Sequence, residues 1–237
     1  MKWLFSLFGR SRSETDDLRL ERYKHFRELG RKINTDLARQ LPKPAVPECG
    51  KKLGLVKSGT LILNQDDEIA LLYDYCVHHY RRVGKNWIER ALENSPSADG
   101  SDEMAYFQAM ISARFSLFRI VEIIPHEGAQ LLDMLSGGEA RLMDIGLAST
   151  AIPGLLVAGR LLTLEDFQMS SGTLIPVAEP VFEELMKPVI QKFLPDGSTP
   201  GSSELSPAQA AAFEAQILRI AIHQGGEDIS FYTDMEA

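Results

Sequence analysis

The densest run of reactive side chains is Asp74-Tyr75-Cys76-Val77-His78-His79-Tyr80-Arg81-Arg82. Carboxylate, thiol and imidazole groups this close together could ligate a metal, move a proton or present a thiolate. On a helix, Asp74 and His78 stand four apart, Cys76 and His79 three, and Cys76 and Tyr80 four, so no single face gathers them all. Zinc needs three or four converging ligands. The Asp74/His78 pair supplies two, and no spacing leads His25, His126 or His223 back to this segment. The reading is of no metal site, a core Cys76, and an Asp74/His78 pair on the helix surface. Nucleophilic attack by Cys76 would need a thiolate, which an apolar stripe disfavours. Cys49, beside Gly50, Lys51 and Lys52, is electrically better placed, but no general base accompanies it.

A second set of charged residues interrupts apolar segments: Asp133 in LLDML, Asp144 in LMDIG and Arg160 in VAGRLL. Strand alternation can turn each of them to water. If two of them share a rim or face inward, Arg160 must pair with a carboxylate, because an unpaired buried charge is very costly. These three are the ligand-binding candidates. Gly159 next to Arg160 predicts a bulge or sharp bend. The chain has no phosphate-binding glycine loop, no dinucleotide fingerprint, no H-E-x-x-H, no G-x-S-x-G and no C-x-x-C. Catalytic residues are left unassigned, and neither cofactor nor metal is expected.

The elements that would position these groups follow from periodicity. Thr15 to Leu41 predicts a long helix with Phe26, Leu29, Ile33, Leu37 and Leu41 on one side, stopped by Pro42, Pro44 and Pro47. Helices are expected near Glu48–Leu53, from an Asn64 cap to Gly84, over Asn86–Glu93, and from Ser101 or Asp102 onward. In the third, Ile69, Leu72, Tyr73, Cys76, Tyr80 and Val83 form the expected core stripe. In the last, Met104, Phe107, Ile111 and Phe115 share a face. From 115 the period changes: SLFRIVEII, AQLLDML, EARLMDI, LLVAGRLLTL and SSGTLIPV read as five short strands cut by HEG, SGG, GLASTAIPG and EDF. Five such strands in about sixty residues predict one small barrel. A helix weakened by Pro188 follows, then a Gly/Ser/Pro connector. Ser206, Pro207 and Gln209 next predict a sharply capped helix carrying Phe213, Ile217, Ile220 and Ala221.

The 237 residues carry a net charge of −8, unevenly spread. Residues 1–60 hold 14 Lys/Arg and 7 Asp/Glu, and the remainder 11 and 26, so a basic arm adjoins an acidic body. Docking of that arm on the body is the simplest reading. Nucleic-acid binding is not expected of so acidic a body. The first residues, MKWLFSLFGRSR, are too short an apolar run to span a bilayer and lack a cleavage site for a signal peptide. Trp3, Phe5 and Phe8 with their flanking cations are membrane-contact candidates for an anionic surface. Two cysteines give no disulfide framework, which fits a cytoplasmic protein, peripheral to a membrane if the arm is used.

Asp74-Tyr75-Cys76 with Tyr80-Arg81 and Gly84, the Leu131–Leu135 segment, Asp144-Ile145-Gly146 and Ala158-Gly159-Arg160-Leu161 together resemble an uncharacterised bacterial protein family over roughly Leu61 to Val177. The resemblance implies a bacterial cytosolic origin and carries no activity. The expected class is α+β: a basic, aromatic arm (1–13), a helical region (14–114), a five-stranded antiparallel barrel (115–178), C-terminal helices packed on it (179–225) and an acidic tail (226–237). The expected function is that of a non-enzymatic protein-binding adaptor. A peripheral membrane factor and an enzyme with a site near the barrel rim are the alternatives.

Overall fold

The computed structural model describes residues 14–94, 98–194 and 205–224. Trp3, Phe5 and Phe8, and the acidic tail, lie outside them. Helix α1 (Glu14–Gln40) runs as its stripe predicts: Tyr23, Phe26, Leu29, Ile33 and Leu37 are all buried. Helices α2 (Ala45–Leu53), α3 (Asp66–His79), α4 (Trp87–Asn94) and α5 (Asp102–Ser112) follow. A two-stranded ribbon of β1 (Val56–Lys57) and β2 (Thr60–Leu61) lies between α2 and α3.

The barrel is formed by β3 (Arg114–Ile124), β4 (Gly128–Asp133), β5 (Glu139–Met143), β6 (Leu156–Thr163) and β7 (Gln168–Val177), closed in the order β3-β4-β5-β7-β6. All neighbours are antiparallel except β5 and β7, which meet in parallel at Leu142 and Gln168. The GLASTAIPG connector is more than a loop. It contains helix α6 (Ile145–Thr150), whose Leu147 packs under the barrel with Phe118, Ile120, Leu131 and Leu142. This Greek-key order, with a helix between the third and fourth strands, is that of an OB-type barrel. Such barrels use the loops after their first and fourth strands for ligands. Here α1 is pinned across both: Arg19 lies 3.7 Å from Glu127, Arg22 lies 3.2 Å from Asp166, and Phe167 packs on Tyr23 and Phe26. Two cations of α1 thus dock the helix on acidic residues of both loops.

Beyond the barrel, α7 (Glu179–Val181), a π-helical turn (Phe182–Met186) and α8 (Lys187–Phe193) form one continuous rod. The wide turn, with Lys187 N–H donating to the Phe182 carbonyl, absorbs the disruption that Pro188 brings to a regular helix. Helix α9 (Pro207–Gln224) starts as predicted: Gln209 N–H donates to Ser206 Oγ, and Gln209 Oε1 accepts from Ser206 N–H at 3.0 Å.

Two stripes differ from expectation. Helix α3 ends at His79, and its buried residues are Glu68, Leu71, Leu72, Tyr75, Cys76, Val77 and His78, while Ile69 and Tyr73 are partly exposed and Val83 is 95 % exposed on the following turn. The face is rotated because α2 and α9 flank the helix on one side and claim Tyr75, whose hydroxyl donates to the Ala211 carbonyl. Asn64 is not its cap; instead Glu68 reaches back to accept from Asn64 N–H at 2.6 Å. On α5, Ser101 caps as expected, but Tyr106, Ala109 and Met110 are the buried residues and Ile111 is half exposed, since the helix turns toward α1.

Candidate functional site

Every residue of β6 but the last is buried, so both faces of this strand are covered. Val157 and Leu161 point into the barrel core, whereas Leu156 and Ala158 pack outside the wall against Phe213 and Ile217 of α9. Arg160 also leaves the wall outward, at the register shift between Gly159 and Leu161, so the bulge read from Gly159 is present. Outside the wall it meets helices rather than water. Its side chain is 4 % exposed in the seam between barrel and helices.

Arg160 is held on three sides. Nη2 donates to both carboxylate oxygens of Glu214 on α9, at 2.8 and 2.7 Å. Nε donates to Asp74 Oδ2 at 3.4 Å, and Nη1 to the Ala113 carbonyl at 3.4 Å. Glu214, 2 % exposed, also takes His79 Nε2 at 2.7 Å. An ionised carboxylate only accepts, so His79 carries its proton on Nε2 and donates. Burial works against both charges of this pair. For Arg160 the nearby Glu214 and Asp74 outweigh burial and raise its pKa; for Glu214 the nearby Arg160 and His79 outweigh it and hold its pKa low. Asp74 goes the other way. Burial pushes its pKa up against the pull of Arg160, with Glu214 adding to the rise.

His78 completes the cluster without being satisfied by it. The side chain is 5 % exposed, and Nε2 stands 3.8 Å from Asp74 Oδ1, beyond hydrogen-bond reach. Nε2 has no hydrogen-bond partner. Burial first, then the positive charge of Arg160 and His79, drives its pKa well below the ordinary histidine value, so it is neutral at pH 7. The Asp74/His78 pair is therefore no solvated surface pair. Arg160 draws Asp74 inward, and the barrel wall covers His78.

A pocket of about 220 Å³ opens onto this cluster. His78, His79, Arg160 and Glu214 line one side; Ile111, Phe115, Leu135, Leu194, Leu205 and Phe213 supply apolar wall; Arg81 and Arg114 also line it. No serine, threonine or cysteine side chain is among the described residues that line it. Among the described residues, no group of three or more His, Cys, Asp or Glu is gathered for a metal.

The other two charged candidates lie elsewhere. Asp133 closes the turn from β4 to β5: its Oδ1 accepts from Ser116 Oγ and from the amides of Leu135 and Ser136, at 2.9 and 3.3 Å. Asp144 caps α6, accepting from Leu147 N–H at 3.0 Å. The predicted trio therefore does not converge, and Arg160 pairs with Glu214 and Asp74 instead. Both sit where a short acidic side chain satisfies loop or helix-start amides, and Asp133 also lines a separate cavity with Ser116 and Phe118. Sequence reasoning missed Glu214. It is the sole acidic residue of α9, flanked by Phe213 and Ala215 in an otherwise apolar run, and that contrast was the available signal.

A family model described as "Family of unknown function (DUF7986)" matches residues 17–192. The chain belongs to that family. No curated protein matches, and no solved structure does. The family match takes in Asp74, His78, His79 and Arg160 but stops before Glu214, so one half of the ion pair comes from beyond the matched range. Among the described residues no helix is long and apolar enough to cross a membrane.

Proposed function

We infer that this protein is a non-catalytic binding protein whose working site is the pocket between the barrel wall and helices α3 and α9. The observation that carries the reading is His78 Nε2. A polar atom buried without a partner costs roughly 1–3 kcal/mol, and its residue stands among those lining the cavity, beside the Arg160–Glu214 pair. The surrounding charges support binding over acid–base or nucleophilic chemistry. His79 Nε2 is committed to Glu214, and no hydroxyl or thiol among the described lining residues could form a covalent intermediate. The scaffold is built accordingly: the OB-type barrel has its customary loops under α1, which leaves the outer wall of β6 as the face where charged groups collect.

Native mass spectrometry of protein purified under non-denaturing conditions tests this. The expected result is a retained small molecule that disappears in Ala210→Phe, which adds bulk to the pocket wall one turn before Glu214. Retention of the same molecule by the filled variant would place the site elsewhere.

A protein contact is a second reading, favoured by one turn. Val83 is almost fully exposed at φ 52°, a left-handed conformation that is costly for a β-branched residue. Arg81, Arg82 and Lys85 surround it in sequence. Affinity capture with wild type and Val83→Ser should then differ in one recovered acidic partner; identical recoveries would remove this reading.

A further inference from the structure

We propose that the acidic C-terminal segment, residues 227–236, docks on the cationic surface formed by Lys51, Lys52, Lys57, Arg219 and His223 of the same chain. None of these five residues lines the pocket at the Arg160 cluster, so this surface is a separate feature of the molecule.

Two helices end at one place. Gly54 caps α2 in the left-handed conformation, at φ 76°, and Lys51 and Lys52 occupy the turn before it. The space that a side chain at Gly54 would fill is taken by α9: a Cβ there would stand 2.7 Å from His223 Nε2 and 3.1 Å from Arg219 Nε. Both side chains therefore reach from the end of α9 to the end of α2. Lys57 follows shortly after the cap, on strand β1. All five residues are exposed, and none makes an ion pair among the described residues.

The local charge does not cancel. Lys51, Lys52, Lys57 and Arg219 are opposed by Glu48, the one carboxylate of α2. The carbonyl ends of α2 and α9 each add about half a negative charge, which accounts for cations in the last turn of α2 but leaves a surplus of about two. Asp66 and Asp67 at the start of α3 do not supply the balance. Burial and then Asp66 raise the pKa of Asp67, with no cation bearing on it.

The segment that would neutralise this surface leaves from the same point. Residues 225–237 follow Gln224, the last residue of α9 and the neighbour of His223. They carry Glu227, Asp228, Asp234 and Glu236, and no Lys or Arg. Fully extended they reach up to about 45 Å, so length sets no limit on contact with a surface that begins beside their attachment. The tether also makes the encounter intramolecular, which raises the effective concentration of the acidic groups without any new contact. Apolar groups match as well. Ile62, 40 % exposed, is held near the cap by its amide, which donates to the Leu55 carbonyl at 2.8 Å, and the segment brings Ile229, Phe231 and Tyr232. An external polyanion would then have to displace one that is already tethered.

Carbodiimide cross-linking tests this, because the reagent joins a carboxylate to an amine only where the two meet. An equal mixture of unlabelled and isotope-labelled full chain is treated at about 0.1 M and about 1 M salt, where charges are screened beyond ~10 Å and ~3 Å, and the links are mapped by mass spectrometry. Same-label links from the segment to Lys51, Lys52 or Lys57 should exceed those to the exposed Lys24, Lys32 and Lys192 severalfold, and should fall severalfold at the higher salt. Arg219→Glu keeps all three patch lysines yet should lower these links severalfold, with the melting temperature unchanged. Glu227→Gln combined with Asp228→Asn should do the same to the links made by Asp234 and Glu236. Equal yields at the patch and the comparison lysines would overturn the docking, as would yields indifferent to salt and to both variants. Links that join the two labels as often as they join one would overturn docking within a chain and give the surface to the segment of a second copy.

Discussion

The barrel interior and the seam outside its wall both exclude solvent, but by opposite means. Inside, Ile120, Leu131, Leu142 and Val157 are fully buried and carry no polar side-chain atom, so every contact contributes through burial alone. Outside the same wall, Arg160, Glu214, Asp74 and the two histidines are packed into a space where desolvation opposes each charge. An apolar core tolerates change in proportion to the volume removed. A buried charge network tolerates change only if its partners are altered together. Stability alone would have been served as well by leucine and methionine at these positions.

The largest expected effect is that of Arg160→Leu, which leaves Glu214 and Asp74 buried without their cation. A loss of about 3–5 kcal/mol in denaturant unfolding is expected. The combined change Arg160→Met, Glu214→Leu and Asp74→Leu should recover most of that loss while abolishing ligand binding. A triple variant as unstable as the single one would break the contrast between the two regions. Leu131→Ala, in the barrel interior, should cost about 2–5 kcal/mol through the cavity it leaves, and no second substitution in the seam should compensate for it.

A smaller effect follows from His78. Its pKa is lower in the folded chain than in the unfolded chain, so its contribution is present above the unfolded value near 6.5 and is lost as pH falls from there toward the folded value. Stability should therefore decline below about pH 6.5, by at most ~1.4 kcal/mol per pH unit for this one proton. His78→Gln should flatten that part of the curve. Asp74, with its raised pKa, works in the opposite direction at lower pH: its protonation favours the fold, and that contribution is lost as pH rises through the folded pKa. Glu214 adds its own loss only as pH falls below its ordinary value of 4.5. The comparison of wild type with His78→Gln isolates the histidine. An unchanged slope in the variant would assign the decline to other groups.

The smallest expected effect is that of Asp144→Ala, a lost helix cap worth about 1 kcal/mol, with ligand affinity untouched. A change in affinity would mean that the barrel base and the seam are coupled.

The same contrast explains what could be read without coordinates of any kind. The strands were legible because period-two alternation and Gly-bearing breaks are local signals, and α1 was legible because its stripe runs through four buried positions in phase. The family resemblance and the helical body, barrel and C-terminal packing were all visible at that level. The site was not, since Asp74, Arg160 and Glu214 come from three elements, with separations of 86 and 54 residues. Within α3, the spacing of Asp74 and His78 is that of any solvated pair. The approach of β7, α1 and α9 from elsewhere, with Arg160 reaching over from β6, buries it. Charge type was equally ambiguous: Asp133, Asp144 and Arg160 interrupt apolar runs in the same way, yet two of them satisfy local amides and one anchors a distant pair.

The 54 residues between Arg160 and Glu214 also have a meaning in time. A ribosome adds about 5–20 residues each second, so Glu214 is synthesised roughly 3–11 s after Arg160. Within that interval β7 (Gln168–Val177) completes the set of barrel strands, but the outward guanidinium of β6 has only Asp74 for a counter-charge. A nascent chain that closes its barrel early must keep that flank hydrated until α9 arrives, and the final docking of α9 is then a charge-neutralising step rather than a simple burial of hydrocarbon.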